Sequence, residues 1–493
     1  MKQFVILFFF LSGLGSLQAA EWDFNENCQL AYKETLALRF DAAHVILMRE
    51  KALQPENVCV DLLDNYRDFL EIFISEDKDL FMSREPMRKQ RLSRIEAIQD
   101  DEPFKNISLA VVNLQWAFAR LKFGEYFTAA IELRRAYFLM KENSLLFPDF
   151  KPNLLGNGIF NVLIGAVPPK YEWGLKLVSM EGSINKGRMQ LYQLLEASKK
   201  QPSLNIWQNE ILFYLSFVEL NLVADSKSGK QLLVHFDSLE TKSNLLIYAH
   251  VNMLMKLGMN DEAALLLSER DRSREVYPFY YLNYLEAETR IRKLSFDAVK
   301  QYTIFLENFK GTNYRADAAR KIGWLYLIQA DTAAYLKQMQ YVLNEPAGDV
   351  DADKQAIIEA ESAKIYHPEI LKARLLFDGG YYDSAQLLMK QISREKLDFH
   401  DKLEYTYRLG RIADAQNDIE LALNYYSQTI ELGAESPYYY AANAALKSAE
   451  IYEHASNPNM AVAYYKQCLE LKPDSYRDSI HQKAKAGLNR LKK

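Results

Sequence analysis

The histidines are His44, His235, His250, His367, His400, His454 and His481, and none lies three or four residues from another. Two ligands on one helical face need that spacing, so a paired-histidine metal helix is excluded. No pair among Cys28, Cys59 and Cys468 has zinc-site spacing. No glycine-rich loop precedes a Lys-Ser or Lys-Thr pair to cradle a phosphate, and Gly15 and Ser16 lie in the leader rather than in a nucleophile elbow. The nearest ion motif is Asp349, Asp351 and Asp353, alternating carboxylates of the kind that open a calcium loop. Such a loop needs Gly at its sixth position and Glu at its twelfth. Lys354 and Ala360 stand there. The run is expected to be a solvated acidic loop, with Asp353 near the N-terminus of the helix that follows. No nucleophile, metal site or acid–base pair can be assembled, so the chain is expected to be non-catalytic, with no metal and no cofactor.

Cys28 and Cys59 could pair in an oxidising compartment. Their surroundings read as helices. Leu30, Leu36, Phe40 and Ala43 fall at helical spacing, as do Leu62, Tyr66, Phe69, Leu70 and Phe73. One helix from about 26 to 49 and a second from about 56 to 74, packed antiparallel, would put the cysteines at opposite ends. At about 1.5 Å per residue they would stand about 30 Å apart. A disulfide tolerates roughly 7 Å between Cα atoms. Free thiols are expected on that geometry, unless the first helix breaks near Phe40.

The chain opens with Lys2, an apolar run over 4–11 and small residues ending in Ala19 and Ala20. This is the make-up of a secretory signal peptide over 1–20, with cleavage expected after Ala20. The run is short for a membrane span, and no later stretch reads as one. The mature chain is expected to be exported, into a bacterial periplasm or its envelope. Residues 21–243 read as an N-terminal helical region. Within it the cationic run 84–94 is expected to be a solvated helix or loop. Ala117, Leu121, Ala129 and Ala136 mark a helix pair over 108–141. Residues 150–192 read as an irregular loop, because Gly156-Asn157-Gly158 and Pro168-Pro169 would break a regular helix. At 493 residues, 49% of them hydrophobic, the chain can bury several cores or one long array. A net charge of −5 without a basic block weighs against a nucleic-acid partner.

A repeat organises the C-terminal half. Ala422 and Tyr426 recur as Ala461 and Tyr465, at a period proper to helix-turn-helix repeats. Aligned on the small residue, hairpins are expected to begin near 244, 279, 316, 366, 403 and 442, with Ala263, Ala298, Ala334, Ala385, Ala422 and Ala461 in their second helices. The pattern resembles the tetratricopeptide repeat superfamily. The resemblance implies an all-α fold, with tetratricopeptide-type helical hairpins stacked in a right-handed solenoid over 244–493. It also implies a protein-binding groove and no reaction. A second likeness covers 156–191. There Gly156-Asn157-Gly158, Pro168-Pro169-Lys170, Gly182, Gly187 and Leu191 resemble the tetratricopeptide repeat protein thirty-nine and inclusion-body-clearance family. Its members are helical-repeat proteins without established catalytic residues.

The superfamily resemblance implies that the first helix of each hairpin lines the groove. On that basis Tyr280, Asn283, Arg320, Trp324, Arg374, Tyr407 and Arg411 are the expected partner-binding residues. They mix aromatics with arginine, the types that dominate interface hot spots. The Lys and Asn cluster that would clamp a C-terminal carboxylate is missing, so an internal segment or a folded surface is the expected ligand. The aromatic runs 279–281 and 438–440 could instead stack sugars, but only one of three helical neighbours can face a groove. Two functions stay open. One is an exported scaffold for an unidentified protein partner; the other is an envelope accessory protein that binds carbohydrate or lipid.

Overall fold

A computed structural model of the chain describes residues 20–167, 179–223, 225–237, 239, 243–346, 348–362 and 364–491. Residues 1–19 of the expected signal peptide and Pro168-Pro169-Lys170 lie outside the described residues. Among the described residues the regular elements are helices, with one isolated parallel bridge between Glu21 and Asn57. None of these helices is long and apolar enough to cross a membrane. The chain divides into two compact units. One comprises residues 1–228, 234–246 and 271–278; the other comprises 229–233, 247–270 and 279–493.

The first unit corrects the cysteine geometry. The single helix expected over 26–49 is two, Glu26–Leu36 and Phe40–Leu53, followed by Cys59–Ser75. The break falls at Leu38, which takes a left-handed φ of 61°. Full burial of the Leu38 side chain offsets the cost of that conformation. The extra reversal brings the starts of the first and third helices to the same end. Cys28 and Cys59 therefore lie side by side, with their thiols within hydrogen-bonding reach.

The cationic run is a helix with an exposed face, but its arginines are not left to solvent. Arg84, Arg88 and Arg91 share one face of the helix Lys78–Glu96, which carries Pro86 inside it. Arg91 bonds buried Asp68 at 2.6 Å, Arg94 bonds Asp61 at 2.8 Å, and Arg88 approaches Glu132 at 3.1 Å. The neutralising carboxylates come from other helices, so no local pattern announces them. A further buried carboxylate, Glu210, accepts from Tyr32 at 2.6 Å and Tyr66 at 3.1 Å, and burial raises its pKa.

The expected loop over 150–192 is largely helical. Asn153–Gly165 and Ile184–Lys200 are helices, and Gly156, Asn157 and Gly158 sit inside the first. These glycines are kept for contact. A Cβ on Gly187 would stand 2.4 Å from the Gly158 carbonyl oxygen, and one on Gly158 would meet Leu191 at 2.8 Å. Close packing of the two helices overrides the poor helix propensity of glycine.

The second unit is an array of hairpins. Asn244–Lys256 pairs with Asn260–Ser268, Tyr281–Ile291 with Ala298–Asn308, and Arg315–Ile328 with Thr332–Val342. Pro368–Asp378 pairs with Tyr382–Lys390, Phe399–Ala415 with Ile419–Gly433, and Tyr440–His454 with Pro458–Glu470. Ala263, Ala298, Ala385, Ala422 and Ala461 are all fully buried, because only a small side chain lets paired helices approach closely. Ala334 is half-buried instead, and buried Tyr335 takes the core position. Asn457 caps its helix from Met460 N–H with Pro458 at the first turn.

The acidic insertion forms an added helix, Asp351–Ser362. Asp353 does more than start it. Its carboxylate accepts the backbone N–H groups of Tyr314 and Asp317 at 2.6 and 2.9 Å. It thus satisfies the N-terminus of the Arg315–Ile328 helix, which has no cap of its own. Gly258 and Gly380 take φ of +74° and +84° in the turns of the first and fourth hairpins. A Cβ on Gly380 would lie 2.0 Å from the Gly258 oxygen, so these turns touch and the array curls back on itself.

Candidate functional site: the inner helix layer of the second unit

The first helices of successive hairpins, Tyr281–Ile291, Arg315–Ile328, Pro368–Asp378, Phe399–Ala415 and Tyr440–His454, pack one against the next. They form a single inner layer. At its early end every cation is matched. Lys321 reaches Glu288 at 2.6 Å and Asp317 at 2.7 Å. Tyr284 donates to Asp317 at 2.6 Å. Burial opposes ionisation of Asp317, yet Lys321 and Arg320 hold its carboxyl below the usual range. Arg320 pairs with Asp317 and lies 3.4 Å from Glu359, which also accepts from the Trp324 indole at 2.6 Å.

One helix further on the matching ends. The Arg374 guanidinium lies over the Trp324 ring, 4.8 Å from its centroid, and has no hydrogen bond or ion pair among the described residues. Arg411 lies over Phe377 at 4.9 Å and donates only to the Tyr407 hydroxyl, at 3.1 Å. Between them Arg408 is satisfied by Glu404 at 2.9 Å. Aromatic faces hold Arg374 and Arg411 in place without neutralising them. Next to Arg374 is a cavity of about 340 Å³, bounded also by Arg320, Trp324, Asp378 and Tyr476.

Further cations face the same layer. Burial and the positive fields of Lys483, Lys447 and Arg411 push Lys256 below the normal lysine range. Lys447 has a partner in Glu450 at 2.6 Å. A chain of net charge −5 thus carries a local surplus of positive charge inside its repeat array.

The seven expected contact residues divide. Arg320, Trp324, Arg374, Tyr407 and Arg411 come together on this layer. Trp324 and Tyr407 are 2% and 1% exposed, so they support the arginines rather than offer ring faces. Arg320 is committed to its carboxylates. Asn283 turns to Gln301 of its own hairpin at 2.8 Å, and Tyr280 precedes the helix Tyr281–Ile291 half-buried. Phe377, Lys256 and Lys483 complete the patch; only Phe377 is marked by the groove positions of the repeat. In the aromatic runs Tyr440 is buried and the others are half-buried. Tyr281 stacks on Tyr284 at 5.1 Å, and Tyr440 is buried against Tyr407 at 5.4 Å. Asp398, His400 and Asp401 cluster nearby, but Asp398 caps Asp401 N–H at 2.7 Å and His400 meets Asp401 at 3.1 Å. Their atoms already serve one another.

Buried alanine crossings, paired helices and a continuous inner layer define the class: an all-α helical-repeat solenoid of the tetratricopeptide type. No family model matches the sequence. Over 127 residues it is 26% identical to the photosystem I assembly protein Ycf3 of Rippkaea orientalis, a match spanning 24% of this chain and 72% of that protein. Solved structures similar to it include the TPR domain of P58(IPK), at 16% identity and TM-score 0.22, covering 84% of this chain and 95% of that one. The human IFIT1 dimer with PPP-AAAA follows at 14% identity and TM-score 0.30, covering 92% and 96%. The Cut9–Hcn1 hetero-tetramer of the APC/C matches at 12% identity and TM-score 0.24, covering 96% and 100%.

Proposed function

We propose that this chain is an exported, non-catalytic scaffold that binds an acidic internal segment of a protein partner on the inner layer of its second unit. The observation that carries this reading is the pair Arg374 and Arg411. Both are fixed on aromatic rings, and neither is bonded to a carboxylate among the described residues. A half-buried guanidinium with no bonded carboxylate still has N–H donors to offer one. An Asp or Glu side chain supplies that carboxylate in bidentate geometry. Lys256 and Lys483 extend the patch, which suits a segment carrying several carboxylates. Export is supported by the leader composition alone. The carbohydrate reading loses ground, because Tyr440 is buried and Tyr281 is stacked on Tyr284.

The test uses fluorescence anisotropy with a labelled peptide alternating Glu with apolar residues, its C-terminus amidated. Binding is expected to weaken at least tenfold, about 1.4 kcal/mol, in Arg374→Ala with Arg411→Ala. It should also weaken as salt rises. Equal binding by wild type and double variant, or tighter binding of an RNA oligonucleotide of matched charge, would overturn the proposal.

A further inference from the structure

The geometry points to a disulfide between Cys28 and Cys59, formed while the first unit folds and sealed inside it afterwards. This site is independent of the inner-layer reading, since both cysteines lie in the other unit.

The backbone builds the site before the side chains enter. Glu21 N–H donates to Glu56 O and Val58 N–H to Glu21 O, both at 2.9 Å, so the segment leading into the first helix runs beside the one leading into the third. Asn57 then clasps both segments. Its side-chain oxygen accepts from Asp23 N–H and Cys59 N–H, each at 3.1 Å. Its amide donates to Asp23 O at 2.9 Å and Glu50 Oε1 at 3.0 Å, and approaches Cys28 Sγ at 3.6 Å. Cys28 and Cys59 are both 0% exposed, both meet the Asn57 side chain, and each thiol lies in the other's field. Two neighbouring buried sulfurs held on well-bonded backbone around one asparagine are placed for a disulfide.

The chemistry balances by thiol–disulfide exchange with a disulfide-bearing oxidant, either a small-molecule disulfide or an oxidoreductase of an oxidising compartment. The thiolate of one cysteine attacks a sulfur of the oxidant and releases one thiol. The second cysteine attacks the mixed disulfide and releases the other. The protein loses two electrons and two protons, and the oxidant becomes two thiols. Burial pushes the Cys59 thiol well up, so attack is suppressed in the closed fold. Exchange therefore belongs to the stage before the segment 20–28 docks. The same closure then shields the bond from reductants. Cys468 is different: it fills a small buried position in the last hairpin and is expected to stay a thiol.

The full chain, refolded with oxidised glutathione, is denatured, alkylated and digested without reductant, and its peptides are mapped by mass spectrometry. The expected product is a peptide linked through Cys28 and Cys59, with Cys468 alkylated. The linked form should unfold at a higher denaturant concentration than the reduced chain. Dithiothreitol without denaturant should leave the bond intact. Alkylation of both Cys28 and Cys59, or a bond from either to Cys468, overturns the inference. The variant Cys468→Ser repeats the test by thiol count alone. No free thiol after oxidative refolding supports the bond, and two free thiols exclude it.

Discussion

The guanidinium of Arg374 rests on the indole of Trp324, 4.8 Å from the ring centroid, while Arg320 approaches the same ring at 4.6 Å. One tryptophan thus separates a cation that has its carboxylates from one that has none. Arg320 belongs to the fold, and Arg374 is left over from it.

This difference has a measurable consequence in the free protein. Arg374→Gln removes a half-buried charge that bonds no carboxylate among the described residues and is met only by the fields of neighbours such as Asp378 and Glu404, so stability should change by no more than about 1 kcal/mol. Arg320→Gln removes the cation shared by buried Asp317 and Glu359, leaving Asp317 to Lys321 and Glu359 to the Trp324 indole, and should cost about 3 kcal/mol. Urea unfolding of both variants compares them. An equal loss in the two would place Arg374 in the structural network.

Tyr407 supports rather than contacts. It is buried, and its hydroxyl bridges Arg411 and Asn443 at 3.1 and 2.8 Å. Tyr407→Ala should destabilise by about 3–5 kcal/mol, in line with other large aromatic truncations. Tyr407→Phe should cost only about 1 kcal/mol, while releasing Arg411 and weakening peptide binding. A melting temperature unmoved by Tyr407→Ala would contradict its burial.

Asp353 gives the array a pH dependence. Burial pushes its carboxyl up to about 6, against backbone N–H bonds from Asp317 and Tyr314 that act the other way. The native chain therefore holds this proton more tightly than the unfolded one. The stabilisation from protonation is complete below about pH 4, declines as pH rises towards 6, and is absent above. Wild type should lose about 1–2 kcal/mol relative to Asp353→Asn over that window, allowing for solvent screening. A difference constant from pH 4 to 7 would exclude the linkage.

In the first unit, Asp68→Ala would leave Arg91 without its 2.6 Å partner in a buried site. The expected cost is about 3–5 kcal/mol. The double change Asp68→Leu with Arg91→Met should recover most of it. Chemical denaturation of both variants checks this. A small loss in the single variant would mean that Arg91 is left to solvent after all.

Glycine substitutions separate contact from propensity. Gly187→Ala forces a Cβ onto the Gly158 carbonyl and should cost about 1–3 kcal/mol. A Cβ on Gly229 would meet Leu257 side-chain atoms at 3.6 Å and beyond, an ordinary contact. Gly229→Ala should therefore stabilise by up to about 1 kcal/mol through helix propensity. Thermal melts giving the reverse order would refute the close crossing.

The sequence by itself determined the helical hairpins, because their cause is local. A small residue recurring at Ala385, Ala422 and Ala461, followed one turn on by Met389, Tyr426 and Tyr465, specifies a close crossing wherever the pattern appears. It also placed Arg320, Trp324, Arg374, Tyr407 and Arg411 on one layer. Tertiary structure decided which of them are spare. Glu359 comes from an added helix, and its reach settles that Arg320 is matched while Arg374 bonds no carboxylate among the described residues; Arg408 finds Glu404 one turn back on its own helix. The same holds for Gly156 and Gly158, read locally as helix breakers and kept in a helix by the neighbour they touch. It holds again for Leu38, whose burial fixes a left-handed break and so brings Cys28 to Cys59. Local pattern sets the backbone, but charge balance and close approach depend on residues far apart in sequence, and only the folded chain brings those together.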